Sequence, residues 1–354
     1  MKVLIVGAGL MGSSVGLALN NSGHTVCLKD VSKTVQARAR EFLKLEIEDI
    51  TDPDVIVVAV PPTSVAQVIL DSNRSFPDAT LIDIASVMLK PQQDVETNTT
   101  EIVNWISTHP MAGKENGGFE NASFDLFKNR LWVISPKANI DSRHINRVTE
   151  LIADCGAIAL EMDGQIHDHA VAITSHLPQV LATVLAEQLN ELTPQSLAVS
   201  GQGLRDLTRI ASSSGELWNE ILIANKSNVI AAISQTQNAL EKLKSSIENE
   251  NKIEIMQQFE NGNIGKSKIP GKHGGTPQQF SQVSIEIDDK PGQLAAIFAT
   301  AGSANVNIED VRIDHALGKQ VAVIDLFVDT KSLKSLTDAL TNDGWKLRSI
   351  ANAD

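Results

Sequence analysis

Residues Lys2–Val6 form a short, apolar, β-branched run that stops at glycine, and Leu10–Asn20 continue with apolar residues at helical spacing. That pattern predicts a strand, a tight turn and a helix. Further apolar runs predict buried strands at Thr25–Leu28, Val55–Val60, Thr80–Ile84 and Leu131–Ile134, with helical spacing at Val35–Leu43, Ser64–Leu70 and Arg143–Cys155. The alternation implies a doubly wound α/β domain, a parallel sheet covered on both faces. After Asp163 only helical patterns follow, over Ile166–Leu192, around Leu204–Ser212 and over Glu216–Glu248, which predicts an all-helical domain. Asn261–Gln279 is rich in glycine and carries Pro270 and Pro277, so it reads as a flexible surface connection. Beyond it, strand patterns at Phe280–Ile287, Val306–Ile313, Gln320–Val328 and Trp345–Ile350 and helical ones at Gln293–Ala301 and Ser332–Thr341 give the order βαββαβ of a small ferredoxin-like unit. The expected organisation is therefore 1–163, 164–260, a linker over 261–279, and 280–354.

A net charge of −13 disfavours nucleic acid and anionic membrane surfaces as partners. The two cysteines, Cys27 and Cys155, are far apart and lack metal-ligand spacing, so neither a disulfide framework nor a zinc site is expected, and a reducing cytoplasm fits best. Glycines interrupt the apolar N-terminus too early for a signal peptide, and no stretch reads as long enough to span a bilayer.

Gly7-Ala8-Gly9-Leu10-Met11-Gly12 fits G-x-G-x-x-G in the context that gives the motif meaning, after a strand and opening a helix. This predicts a Rossmann-type dinucleotide site in which the helix N-terminus receives the pyrophosphate. Asp30, about 20 residues further on at the end of the second strand, suits the ribose hydroxyls and would repel a 2′-phosphate, favouring NAD over NADP; Lys29 and Lys33 weaken that exclusion slightly.

Three stretches lie far apart: Asp83-Ile84-Ala85-Ser86, His109-Pro110-Met111-Ala112-Gly113-Lys114-Glu115, and Ser175-His176-Leu177-Pro178 followed by Arg205-Asp206-Leu207-Thr208-Arg209-Ile210-Ala211. His109, read as lying on a loop after an apolar run, has a pKa range suited to accepting a hydroxyl proton, and the guanidinium of Arg209 can grip a carboxylate in bidentate fashion. Together with the glycine turn, these stretches resemble the prephenate and arogenate dehydrogenase family over roughly residues 1–260. The resemblance implies oxidative decarboxylation of prephenate to 4-hydroxyphenylpyruvate, with His109 as base, Ser86 orienting it and the substrate oxygen, and Arg209 and His176 binding substrate. It also places Glu115 and Asp206 in ionic contacts around Arg209, while Arg205 stays open as an alternative anchor. Arogenate is the alternative substrate. Other two-domain dehydrogenases, such as β-hydroxyacid or proline-forming enzymes, share only the glycine turn. A non-catalytic nucleotide sensor would not need His109, Ser86 and Arg209 together. The family often has a lysine two residues after Ser86, where this chain has Met88 and a displaced Lys90. His169 is expected on the same helical face as His176, and His167, Asp168 and His169, adjacent on a helix, diverge too much to hold a metal. The helical domain is expected to form a homodimer.

Asp288-Asp289-Lys290-Pro291-Gly292-Gln293-Leu294 and Gly302 with Asn305-Val306-Asn307-Ile308 resemble the ligand-pocket segments of ACT regulatory domains. This implies an amino-acid effector, most plausibly tyrosine, at Gly292, Asn305 and Asn307, with feedback inhibition. The chain contains no tyrosine, which would let a tyrosine-forming enzyme be translated when tyrosine is scarce.

Overall fold

The computed structural model describes residues 1–98, 102–114, 116–270, 280–315 and 321–351, in two compact units, Met1–Ala239 and Leu240–Asp354. The first unit opens with β1 (Lys2–Val6), α1 (Leu10–Asn21), β2 (Thr25–Lys29), α2 (Lys33–Leu43), β3 (Val55–Val58), α3 (Pro62–Ser75), β4 (Thr80–Asp83) and α4 (Leu89–Asn98). It continues through β5 (Trp105–Pro110), β6 (Leu131–Ser135), α5 (Ser142–Asp154) and β7 (Ile158–Glu161). The seven strands pair in the order β2-β1-β3-β4-β5-β6-β7. Successive residues of β1 feed two cores: Val3 and Ile5 join Val15, Leu19 and Leu151, while Leu4 joins Ile56, Val65 and Ile69. Burial on both faces explains why these strands read as unbroken apolar runs.

The sheet departs from the expected all-parallel arrangement at one pair, because β5 and β6 run antiparallel. Residues 111–130 keep the chain at the end where β5 finishes, and Met111 N–H is already bonded to the Leu131 carbonyl. Strand order reverses between β1 and β3, so the glycine turn after β1 sits at the crevice where such sheets bind ligands.

The helical part of this unit contains α6 (Gly164–Val171), a π-helical turn (Ala172–His176), α7 (Leu177–Gln188), α8 (Pro194–Leu197), α9 (Gln202–Thr208), a 3-10 turn (Arg209–Ser212) and α10 (Gly215–Ala224). Asn225 interrupts the single helix expected over Glu216–Glu248, and α11 (Lys226–Glu248) follows it into the second unit. The continuous helical run Gly164–Glu191 spans 28 residues with a hydropathy of 1.2, so by length and composition one helix could cross a bilayer, against the expectation from sequence. Its polarity is inside out for a solitary helix in water: Ile166, Ile173, Leu181 and Val184 are exposed, whereas His167, Asp168, His176 and Gln179 are buried against the protein.

The second unit holds the end of α11, α12 (Lys252–Ser267), β8 (Phe280–Asp288), α13 (Gln293–Ser303), β9 (Asp310–His315), β10 (Val321–Asp329), α14 (Leu333–Asn342) and β11 (Lys346–Ala351). Helix α12 continues through Gly262 and Gly265, so residues 261–267 are not the irregular connection their glycines suggested. Isolated glycines cost a helix only about 1 kcal/mol each. Residues 271–279, the remainder of the expected linker beyond Pro270, lie outside the described residues. The four-stranded antiparallel sheet has the order β11-β8-β10-β9. Val283, Ile285, Ile324 and Leu326 pack with Ile297, Ala301, Leu336 and Leu340 from α13 and α14. Pairing of β9 starts at Asp310, later than the apolar pattern at Val306 implied, because Val306 spends its side chain in the core before the ladder begins.

Candidate active site

The glycine turn is shaped for a ligand. Gly7 has φ +109°, and a Cβ there would overlap the Ala59 carbonyl, while one on Gly12 would overlap the carbonyl of Gly7. Gly9 faces open space, and no side chain caps the N-terminus of α1 among the described residues, so the N–H groups following Gly9, from Leu10, Met11 and Gly12, remain available to an anion. Asp30 is held beside this turn: its carboxylate accepts from the N–H of Ala8 and of Ser32, each at 2.8 Å. These features fit a dinucleotide.

At the carboxyl end of β4, Asp83 is wholly buried, accepting from the Trp105 indole at 3.0 Å and the Ala85 N–H at 3.2 Å. Burial raises its carboxyl from 3.8 to about 7, and those donors only partly offset it. The unfolded chain would ionise Asp83 near 4 while the folded chain keeps the proton until about 7. Its neutral form therefore contributes stability below 3.8 that is lost as pH rises through 7, in total roughly 4 kcal/mol. The stability gap between the parent chain and Asp83→Asn, measured by urea unfolding, is expected to shift toward the variant by about that amount from pH 4 to pH 8. A pH-independent gap would exclude this assignment.

His109 stands within β5, one residue from its end, rather than on a loop after it; the apolar run read as ending sooner because Ser107 and Thr108 are polar yet buried. Its Nδ1 lies 2.8 Å from Nε2 of His167, and His167 Nδ1 lies 2.8 Å from Oδ1 of Asp168. Asp168 also accepts the N–H groups of Met88 and Leu89, each at 2.9 Å, at the start of α4. A carboxylate can only accept, so the tautomers follow: His167 gives its Nδ1 proton to Asp168 and accepts at Nε2 from His109 Nδ1–H. That leaves His109 Nε2 as a bare acceptor. Burial, with His167 and His176 nearby, pushes His109 down to about 3, so the imidazole is neutral at physiological pH.

Sequence reasoning weighed His167 and Asp168 only as metal ligands and gave them no part in the site; their burial is seen only in the structure. Ser86 is half-buried in the bend after β4, and no hydrogen bond joins it to His109 among the described residues; His167 holds Nδ1 instead. Met88 is buried, and Lys90, two residues along, is committed to Asp94 at 2.5 and 2.6 Å.

His176 is 2% exposed, but His169 is exposed, contrary to the expectation of a shared face. The π-helical turn explains the difference. On an unbroken α-helix, at about 100° per residue, positions seven apart nearly coincide and positions eight apart diverge by about 80°. One residue absorbed in the π turn reverses this and aligns His176 with Asp168. Asn225 bridges them, donating to the Asp168 carbonyl at 2.7 Å and lying 3.3 Å from His176 Nδ1. Trp218 meets His176 edge to face with ring centroids 6.0 Å apart. Burial pushes His176 down to about 4, against the opposing influence of Asp168. Asp206 is exposed on α9 and accepts from Gln202 at 2.8 Å; Arg205 is also exposed, and Arg209 opens the 3-10 turn that follows α9. Glu115 lies outside the described residues.

The effector candidates do not converge within one chain. Gly292, with φ +90°, precedes α13, whereas Asn305, with φ +54°, and Asn307 follow it. The eleven residues of α13 between them span about 16 Å. Asn307 donates to Glu309 at 2.5 Å.

The profile of the prephenate dehydrogenase nucleotide-binding domain matches residues 15–161, and that of the prephenate dehydrogenase dimerization domain matches residues 163–261. The chain belongs to the prephenate dehydrogenase family. It is an oxidoreductase of that family by these two matches, which together cover most of its length. It is 26% identical to probable prephenate dehydrogenase NovF of Streptomyces niveus, over 98% of this chain and 99% of that one. It is 25% identical to cyclohexadienyl dehydrogenase of Zymomonas mobilis, over 78% and 98%. Prephenate dehydrogenase of Aquifex aeolicus, solved with hydroxyphenyl propionate and NAD+, superposes with a TM-score of 0.68 at 27% identity, covering 76% of this chain and 98% of that one.

Proposed function

We propose that the chain catalyses the NAD-dependent oxidative decarboxylation of prephenate to 4-hydroxyphenylpyruvate. The observation that carries this reading is the Asp168–His167–His109 series, which leaves one unprotonated imidazole nitrogen at the carboxyl edge of the sheet. His109 Nε2 takes the ring hydroxyl proton, and Ser86 contacts the same oxygen. A dinucleotide whose pyrophosphate is held at the glycine turn would supply the hydride acceptor through its nicotinamide. Arg209 holds a substrate carboxylate, with Glu115 and Asp206 fixing its orientation, and neutral His176 donates or accepts a hydrogen bond beside it. Loss of the ring carboxylate as carbon dioxide is driven by aromatisation. NADH formation by purified protein, compared for prephenate, arogenate and no substrate, tests the reading. Turnover of arogenate alone would replace the substrate, and turnover of neither would end the proposal.

Asp30 selects NAD. Asp30→Ala is expected to lower the ratio of kcat/KM for NAD over NADP, and an unchanged ratio would move specificity elsewhere.

The domain limits 1–163, 164–260 and 280–354 remain our reading of the chain. The exposed apolar side chains of Gly164–Glu191 are covered by a second copy, giving a homodimer. The βαββαβ unit binds an aromatic amino acid, tyrosine, across two copies, since Gly292 and Asn305 stand at opposite ends of α13. Calorimetric titration with tyrosine, phenylalanine and tryptophan, alongside rate assays, tests this regulation.

A further inference from the structure

Gln179 is 6% exposed on α7, one turn beyond His176. Its Nε2 donates to the Ile210 carbonyl at 2.9 Å. Ser213 Oγ donates its one proton to the same carbonyl at 2.8 Å, and lies 3.4 Å from Gln179 Oε1. Ile210 is the residue after Arg209, inside the short 3-10 turn Arg209–Ser212. None of the four residues in that turn is fully buried, although Ile210 and Ala211 are half-buried. The polar closure under Ile210 ties the turn to the buried amide of Gln179 on α7, and a buried primary amide must be satisfied or costs stability. Because the π turn also sets the phase of α7, the element that brings His176 beside Asp168 simultaneously aims Gln179 at the Arg209 turn.

We propose that Gln179 is a positioning residue that holds the Arg209 turn and thereby sets affinity for the substrate carboxylate. The inference rests on the reading of Arg209 as the carboxylate anchor. A bidentate grip demands that the guanidinium be presented in one geometry, and a long side chain on a loosened turn samples many. Gln179 makes no contact with the reacting atoms in this account. Its loss therefore weakens binding of the ground state and transition state alike and leaves the chemical step intact.

Steady-state kinetics of the full chain with prephenate and NAD test the proposal through a double-mutant cycle. Gln179→Ala is expected to raise KM for prephenate roughly tenfold, the order expected for one lost buried hydrogen bond, with kcat within about twofold and KM for NAD unchanged. Gln179→Met, which keeps the volume without the donor, is expected to match it and serves in its place where the alanine chain does not fold. In an Arg209→Ala background the Gln179 substitutions are expected to add nothing further. Multiplying effects in the double variant, or a fall in kcat with KM unchanged, would overturn the proposal by giving Gln179 a direct role. An unchanged KM in both Gln179 variants would overturn it outright. If Arg209→Ala alone leaves KM unchanged, the anchor reading itself fails, and that result is distinct from failure at Gln179.

Discussion

Replacing His109 with alanine is expected to lower turnover about 10²–10⁴-fold while NAD affinity stays close to that of the parent chain, because general-base assistance typically contributes that much. The separation follows from geometry. His109 stands at the end of β5, two strands away from β3 and three from the glycine turn of β1 in the sheet order. Its ring is engaged by His167 and by no group of that turn. Steady-state rates with prephenate, together with NAD titration followed by tryptophan fluorescence, check both halves. Turnover near that of the parent would remove His109 from the mechanism, and a parallel loss of NAD affinity would mean that the substitution had disturbed the sheet.

The second large effect is expected at Asp168→Asn. The side-chain shape is kept, but an amide offers two N–H donors where the carboxylate only accepted. Turned toward His167 Nδ1, the amide donates and forces the proton to His167 Nε2, which then points at His109 Nδ1 and leaves the base with the wrong nitrogen bare. In that orientation it also opposes the N–H of Met88, which shares that oxygen; turned the other way it opposes the N–H of Leu89, and a buried unsatisfied pair costs about 1–3 kcal/mol. Turnover is expected to fall about 10²–10⁴-fold, comparable with loss of the base itself, as when an orienting carboxylate is replaced in a hydrolase triad. Combined with His109→Ala, the two losses should not multiply, since both act through one nitrogen. Kinetics of the two single variants and the double one decide it, and full multiplication would separate Asp168 from the base.

Much of the fold was legible because burial on both faces leaves β1 and β3 almost without polar residues, and β4 was readable although its Thr80 and Asp83 are polar and buried. Strand β5 was read as ending before His109 because Thr108 is polar yet buried, bonded to the Asp83 carbonyl at 2.6 Å and receiving the Trp132 indole at 2.9 Å. No local pattern encodes such partners. The antiparallel pairing of β5 with β6 was hidden for a related reason, as it depends on which end of the sheet residues 111–130 remain. At the site, the glycine turn and Asp30 could be proposed because each sits at a fixed offset from a readable element, whereas His109 was proposed from the resemblance of the His109–Gly113 segment to the family. His167 and Asp168 were set aside because neighbouring helical residues cannot converge on one ion. That argument holds for a metal, but a proton relay needs no convergence: one member points to the next. The π turn leaves no compositional trace, so the phase that buries His176 and exposes His169 was beyond reach.

The bond from Asp168 to the start of α4 has a consequence for the chain in pieces. A fragment ending at Asp163 would retain the glycine turn, Asp30 and His109, yet the N-terminus of α4 would lose both carboxylate bonds and His109 would lose its ordering neighbour. Nucleotide capture and proton abstraction are thus separable by a single cut: proteolytic nicking between the two halves should yield a cofactor-binding piece without turnover, and mixing the pieces should restore catalysis only as far as α6 docks again.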